Sequence, residues 1–322
     1  MTDVKSVSEK ENKPAALQCL EIWGGNNRVS HALELPGLTG WLHSEPTEQS
    51  IEGGDVHYVS VCSKGVLTRL ALADVSGHGQ SAGSVAVLLR SLIHKHIDTW
   101  DQSELMRELN NSLSSRVTNS QYASAILFAY YQPTRELVFT NAGHPPALWY
   151  HAATKTWDWL ESGTPLSHVI EGLPLGVIDG TDYVQVAVRL QPDDVLILYT
   201  DGITEARNPK GEMLGRDGLL AIAQSLPIDE PARMAEGLIA RLQESRGITP
   251  PDDDRTFCIL RQSGSQAHPS RFEIFRVEDT GPRWIAVTDT LEKAKSTVLG
   301  LPKGDRTRFI ISNEATGERI VF

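Results

Sequence analysis

At 322 residues, with 40% hydrophobic and 22% charged residues, the chain can bury a full core as one large domain or two smaller ones. Its formal net charge of −11, without any long basic run, argues against nucleic acid or an anionic membrane surface as its main partner. Both of those need clustered Lys and Arg. Three cysteines (Cys19, Cys62 and Cys258) with no Cys-x-x-Cys pair argue against a disulfide framework or a zinc-thiolate site and fit a reducing compartment.

In chain order, residues 1–14 read as a disordered tail, because they are polar and almost free of apolar side chains. Met1 to Lys13 lacks the apolar stretch of a signal peptide, and the run Ser84 to Ile93 is too short to span a bilayer, so the expected location is the cytoplasm. Ala16 to Trp23 reads as a strand ended by a turn at Gly24-Gly25-Asn26-Asn27. Leu38 to His43 is a second strand, and Glu45 to Glu52 a loop leading to Gly53-Gly54-Asp55. Tyr58 to Cys62 and Val66 to Leu72 form a hairpin around Ser63-Lys64-Gly65, which places Asp55 and Asp74 on neighbouring strands.

Ala73-Asp74-Val75-Ser76-Gly77-His78-Gly79 follows the second of these strands and runs into a helix that begins near Gln80. An aspartate at a strand end, followed by small residues that let the backbone turn, presents a carboxylate to a hard cation; the same letters also suit an ordinary turn. Asp101-Gln102-Ser103-Glu104 reads as the capped start of a second helix whose buried stripe is Leu105, Leu109 and Leu113. Strands follow at Ala123 to Tyr131, Glu136 to Thr140, Ala147 to Tyr150, Trp157 to Leu160, Tyr183 to Leu190 and Val195 to Tyr199. Their Gly, Pro and Asn turns indicate mainly antiparallel sheets. His144, in the turn Asn141 to Pro146, suits either an acid–base role or the holding of its own loop.

Asp201-Gly202 closes the strand Val195 to Tyr199, as Asp74 closes its own. Helical patterns span Asp217 to Leu226 and Glu230 to Ser245, and Asp252-Asp253-Asp254 leads into the strand Thr256 to Arg261. Three successive aspartates suit a solvated turn, but their place at the mouth of a strand matches Asp55, Asp74 and Asp201 and favours metal ligation. The expected organisation is a domain over 15–262, a linker over 263–270 and a small strand-strand-helix-strand-strand module over 271–322 for regulatory or self-association contacts.

Carboxylates suit Mg²⁺ or Mn²⁺, and no His/Cys ligand set points to zinc. Two such cations about 3.5–4 Å apart can share a water and lower its pKa for in-line attack on a phosphoryl group. Such a site needs no side-chain nucleophile, and none is arranged for the task.

Gly53-Gly54-Asp55, Asp74-Val75-Ser76-Gly77-His78-Gly79, Asn141-Ala142-Gly143-His144-Pro145-Pro146, Pro174-Leu175-Gly176, Tyr199 to Ala206 and Asp253-Asp254-Arg255-Thr256 occur in one order. In that order, over about residues 40–262, the chain resembles the SpoIIE-type branch of the PPM family of metal-dependent Ser/Thr protein phosphatases. The resemblance implies an α+β fold, a four-layer α/β/β/α sandwich of two mainly antiparallel sheets with the metal site at one edge. It implies two or more Mn²⁺ or Mg²⁺ ions held by Asp55, Asp74, the Val75 carbonyl, Asp201 and Asp253, with Asp254 behind them. The bridging water held by Asp55 and Asp74 would be the nucleophile. The implied substrate is a phosphorylated signalling protein such as an anti-sigma-factor antagonist in a partner-switching circuit. The chain departs from the pattern at Tyr58, where relatives commonly carry an acid. The residues also admit a non-catalytic switch that binds a phosphoprotein, or a phosphatase for small esters.

Overall fold

The computed structural model describes residues 20–47, 52–62, 66–77, 79–97, 99, 101–116, 121–161, 172–246, 253–263, 272–278, 281–288, 290–301, 308–313 and 319–321. The readings for 1–14, Ser63 to Gly65, His78, Asp252 and most of the 263–270 linker fall outside them.

The strands of the main body are β1 (Leu20–Asn27), β2 (Val29–Leu35), β3 (Leu38–Glu45), β4 (Glu52–Cys62) and β5 (Leu67–Val75). After helices α1 (Gln80–His96) and α2 (Gln102–Ser114) come β6 (Ala123–Tyr131), β7 (Glu136–Ala142), β8 (Ala147–His151), β9 (Thr156–Leu160), β10 (Gln185–Arg189) and β11 (Val195–Tyr199). The short α3 (Asp201–Thr204), then α4 (Gly215–Ser225) and α5 (Pro231–Arg246), precede β12 (Arg255–Gln262). One sheet runs β1-β4-β5-β6-β7-β10 and the other β2-β3-β12-β11-β8-β9, and the described pairings are antiparallel.

The layering follows from side-chain alternation along strands that are covered on both faces. Leu70, Leu72, Ile126 and Phe128 meet Leu196, Leu198, Cys258 and Leu260 of the other sheet. The residues between them, Ala71, Ala73, Val75 and Leu127, point the other way and pack under α1 and α2. On the second sheet Val195, Ile197, Phe257 and Ile259 pack under α4 and α5. With both faces buried, β11 is apolar throughout, Val-Leu-Ile-Leu-Tyr, and buried at every position. The result is the α/β/β/α sandwich. Truncating a side chain of the middle layer, such as the fully buried Leu72, costs about 2–5 kcal/mol.

The local signal holds at the start of α2. The Asp101 side chain accepts hydrogen bonds from the backbone N–H groups of Ser103 and Glu104, at 2.9 Å and 3.1 Å, and so caps α2. One expectation fails: Gly24 to Asn27 is not a turn. Gly24 and Gly25 pair with Tyr58 and His57 inside β1, with register shifts on either side of that stretch. The glycines mark irregularities in a strand, and pairing with β4 overrides their local preference for a turn. The strand β2 (Val29–Leu35), directly after it, has no counterpart among the sequence-predicted elements. Gly53 and Gly54, just past the expected loop, lie inside β4, which begins at Glu52.

A separate four-stranded sheet closes the chain. Strands β13 (Phe272–Glu278), β14 (Gly281–Thr288), β15 (Arg308–Asn313) and β16 (Arg319–Val321) run in the order β14-β13-β15-β16. The helix α6 (Leu291–Gly300) packs Ala294 and Val298 against Ile274, Phe309 and Ile311, giving this sheet a core of its own. Its element order is the one expected for 271–322.

Candidate active site

Two strand pairings and two strand ends bring the acidic residues to one edge of the sandwich. Asp55 on β4 stands directly opposite Asp74 on β5 in the antiparallel register. Asp201 opens α3 just past the end of β11, and Asp253 and Asp254 lie just before β12, the neighbour of β11. Asp74, Asp201 and Asp253 line a single cavity of about 570 Å³, together with Val75 and His144. Beyond Asp74 the chain bends at Gly77, whose φ of +91° is a conformation that favours glycine.

Asp55 does not appear among the cavity-lining residues; it is 2% exposed and is held from the opposite sheet. The Thr200 hydroxyl donates to Asp55 Oδ2 at 2.8 Å. The same hydroxyl oxygen accepts the Thr256 N–H at 3.0 Å, and the Thr200 N–H donates to the Thr256 carbonyl at 2.9 Å. One side chain therefore ties the acid of the first sheet to the β11–β12 ladder of the second.

Asp254 has a different task. Its Oδ1 accepts the Thr47 N–H at 2.7 Å and its Oδ2 the Gly54 N–H at 2.5 Å, so both carboxylate oxygens are used on backbone. It pins the start of β4 to the start of β12, behind the cavity. The contact requires a glycine at 53, because a Cβ there would lie 2.5 Å from Asp254 Oδ2. The Asp254 N–H in turn donates to Asp253 Oδ1 at 2.8 Å and orients that carboxylate.

The charges are close enough to perturb one another. Burial, and then the charge of Asp74, raises the Asp55 carboxyl well above the ordinary range. Burial followed by the charges of Asp201 and Asp253 pushes Asp74 up to about 8. Burial with Asp253 and Glu205 pushes Asp201 up to about 6. Among the described residues no three His, Cys, Asp or Glu side chains close into a ready metal-coordinating set. Like-charge repulsion opposes such closure, and a divalent cation removes that repulsion. The donors gathered here are all oxygen, the chemistry that Mg²⁺ and Mn²⁺ take.

His144 holds its own turn. Asn141 accepts the His144 N–H through Oδ1 at 2.7 Å and donates from Nδ2 to the His144 carbonyl at 2.9 Å. The ring Nδ1 lies 2.7 Å from the Ser124 hydroxyl, and burial pushes the imidazole down to about 3. An imidazole kept neutral in this way is a poor proton donor near neutrality. Pro174 lines the wall beyond it, and the buried Leu175 that follows exchanges backbone hydrogen bonds with Ala123 at 2.8 Å and 3.0 Å. Tyr58 is buried on the helix-facing side of β4, with its hydroxyl 3.3 Å from His94 Nδ1 on α1. It therefore makes a contact between strand and helix and does not line the cavity. Thr200, fully buried beneath the cavity, and Arg216, on its wall, were given no role by the sequence; Thr200 at least lies inside the quoted Tyr199-Thr200-Asp201-Gly202 motif.

The sequence matches the family model for Stage II sporulation protein E (SpoIIE) over residues 65–263. The chain belongs to the SpoIIE family. Within that family it is 26% identical over 198 residues to phosphoserine phosphatase RsbU of Bacillus subtilis, covering 60% of this chain and 55% of that protein. The chain spans about half the length of the curated relatives it matches. Its fold is shared with the SiaA PP2C domain of Pseudomonas aeruginosa, at TM-score 0.60 and 20% identity over 69% of this chain and 85% of that one. The catalytic domain of the serine/threonine protein phosphatase PstP, solved with two manganese ions, superposes at TM-score 0.51 and 16% identity over 70% of this chain and 99% of that one. This SpoIIE-family chain has no helix among the described residues long and apolar enough to cross a membrane.

Proposed function

We propose that this SpoIIE-family chain is a divalent-metal-dependent phosphatase of phosphoserine and phosphothreonine in proteins. The observation that carries the reading is the meeting of Asp74, from one sheet, with Asp201 and Asp253, from the other, around one cavity. RsbU, named a phosphoserine phosphatase, supports the reaction class.

The residues fit a divalent cation. Asp74, Asp201, Asp253 and the Val75 carbonyl would hold it from the cavity wall, with Asp55 beneath. Two or more Mn²⁺ or Mg²⁺ ions bound there supply charge neutralisation for a phosphoryl group and a water of lowered pKa. The protein supplies the rest. Thr200 fixes the Asp55 carboxylate, and Asp254 fixes the backbone of Gly54 and the orientation of Asp253. Preorganised ligands of this kind cost little reorganisation when the substrate arrives. The substrate class is a phosphorylated signalling protein of the anti-sigma-factor-antagonist type, the enzyme is cytoplasmic, and residues 271–322 serve contacts with a regulator or a second copy. No composition-level feature suggests nucleic acid or membrane.

The test is hydrolysis of a phosphoserine peptide by the full chain with Mn²⁺, alongside Asp74→Asn and Asp201→Asn. The expected outcome is activity in the parent and none in either variant, each variant retaining the parent's circular dichroism spectrum. Undiminished turnover in the variants overturns the reading.

A further inference from the structure

Acids alone would repel an anionic substrate, and the cavity holds one exception. Among the described residues that line it, Arg216 is the sole Lys or Arg. It sits in the first turn of α4, where the helix macrodipole disfavours a cation, so helix stability does not account for it. Its guanidinium lies over the Trp159 ring, with Cζ 4.1 Å from the ring centroid. One of its terminal nitrogens donates to Glu161 Oε1 at 2.9 Å. Stacking and tether together fix the plane of a group with five N–H donors, most of them left for another partner. Trp159 in turn packs edge-on to Tyr199, with ring centroids 6.4 Å apart. The platform is thereby seated on the strand end that leads to Thr200 and Asp201.

We propose that Arg216 recognises the phosphoryl oxygens of the substrate, with Trp159 and Glu161 as positioning residues that hold its fork toward the cavity. This rests on the reading of the cavity as a phosphomonoester site and adds the group that receives the phosphate. A phosphomonoester carries about −1.5 to −2 charges at neutral pH and offers three acceptor oxygens. A planar guanidinium can meet two of these at once, which an ammonium cannot. Arg216 takes no part in bond making; its contribution is to binding.

The experiment uses the full chain loaded with Mn²⁺. It measures inorganic phosphate affinity by calorimetry, and kcat and KM on p-nitrophenyl phosphate, which has no flanking peptide. Arg216→Gln is expected to weaken phosphate binding and raise KM by about tenfold, with Mn²⁺ affinity not weakened. Arg216→Lys recovers part of the loss, and Trp159→Leu shifts phosphate affinity and KM in the same direction by less. Equal phosphate affinity and KM in the parent and Arg216→Gln overturns the role of Arg216 and leaves the phosphatase reading standing. Failure of the parent to bind phosphate at all also overturns it. Arg216-dependent phosphate binding without hydrolysis of any phosphomonoester supports the role and overturns the phosphatase reading. Should Arg216→Gln fail to fold, the lysine and Trp159 variants decide by the same two measurements.

Discussion

On the first sheet, Asp55 and Asp74 face each other across two long central strands, and the register of β4 and β5 alone brings them together. On the second sheet, Asp201 and Asp253 stand beyond the ends of β11 and β12, placed by a helix start and by a backbone hydrogen bond from Asp254. The first half of the site is built by regular structure and the second by caps and turns. A strand pair is held by its whole ladder, so a single substitution hardly moves it. A turn depends on one or two hydrogen bonds, and the second half is where a point change can displace a carboxylate. The sites of greatest sensitivity should therefore be Thr200 and Asp254, which join the halves.

The first test asks whether both halves serve one ion site. Mn²⁺ at 100 times its dissociation constant should stabilise the parent by about 2.7 kcal/mol. That gain, read as a shift in thermal midpoint, should vanish in Asp74→Asn and in Asp201→Asn alike. A loss confined to one of them would divide the site along the sheets. Next, Asp254→Ala leaves the Thr47 and Gly54 N–H groups without their acceptor. It should cost about 1–3 kcal/mol for each group, measured by urea unfolding, with a smaller loss in Asp254→Asn, which keeps one acceptor oxygen. Thr200→Val removes the bond to Asp55 and the acceptor for the Thr256 N–H. Its expected signature is about a 10–100-fold drop in Mn²⁺ affinity by calorimetry, at a modest cost in stability. At the small end, Arg233→Gln breaks the exposed pair with Asp229 at the start of α5. It should change unfolding free energy by about 0.3–0.5 kcal/mol and leave Mn²⁺ affinity alone.

Legibility in the sequence divides along similar lines. The α2 cap and the strands from β6 to β12 are written locally, in one capping aspartate and in apolar runs between turn residues. The adjacency of Asp55 and Asp74 follows from a hairpin short enough to read. Gly24 and Gly25 mislead because a glycine pair marks a turn in isolation, whereas here the partner strand decides. The strand β2 hides behind exposed Ser30, His31 and Glu34, with its core face reduced to Leu33 and Leu35. The Asp55–Thr200 bond joins positions 145 residues apart, and the seat of Arg216 on α4 depends on Trp159 in β9 and on Glu161 just past that strand's end. Neither is encoded in any local pattern; the first appears only when the sheets are stacked, and the second only when α4 covers the sheet that carries β9.

Cys258 occupies the layer between the sheets with no exposure, and burial drives its thiol far above the usual range. A thiol so placed cannot meet a reagent while the sandwich stays shut. Alkylation mapped to that one position would accordingly time the parting of the two leaves, giving a clock for opening of the sandwich that is independent of turnover.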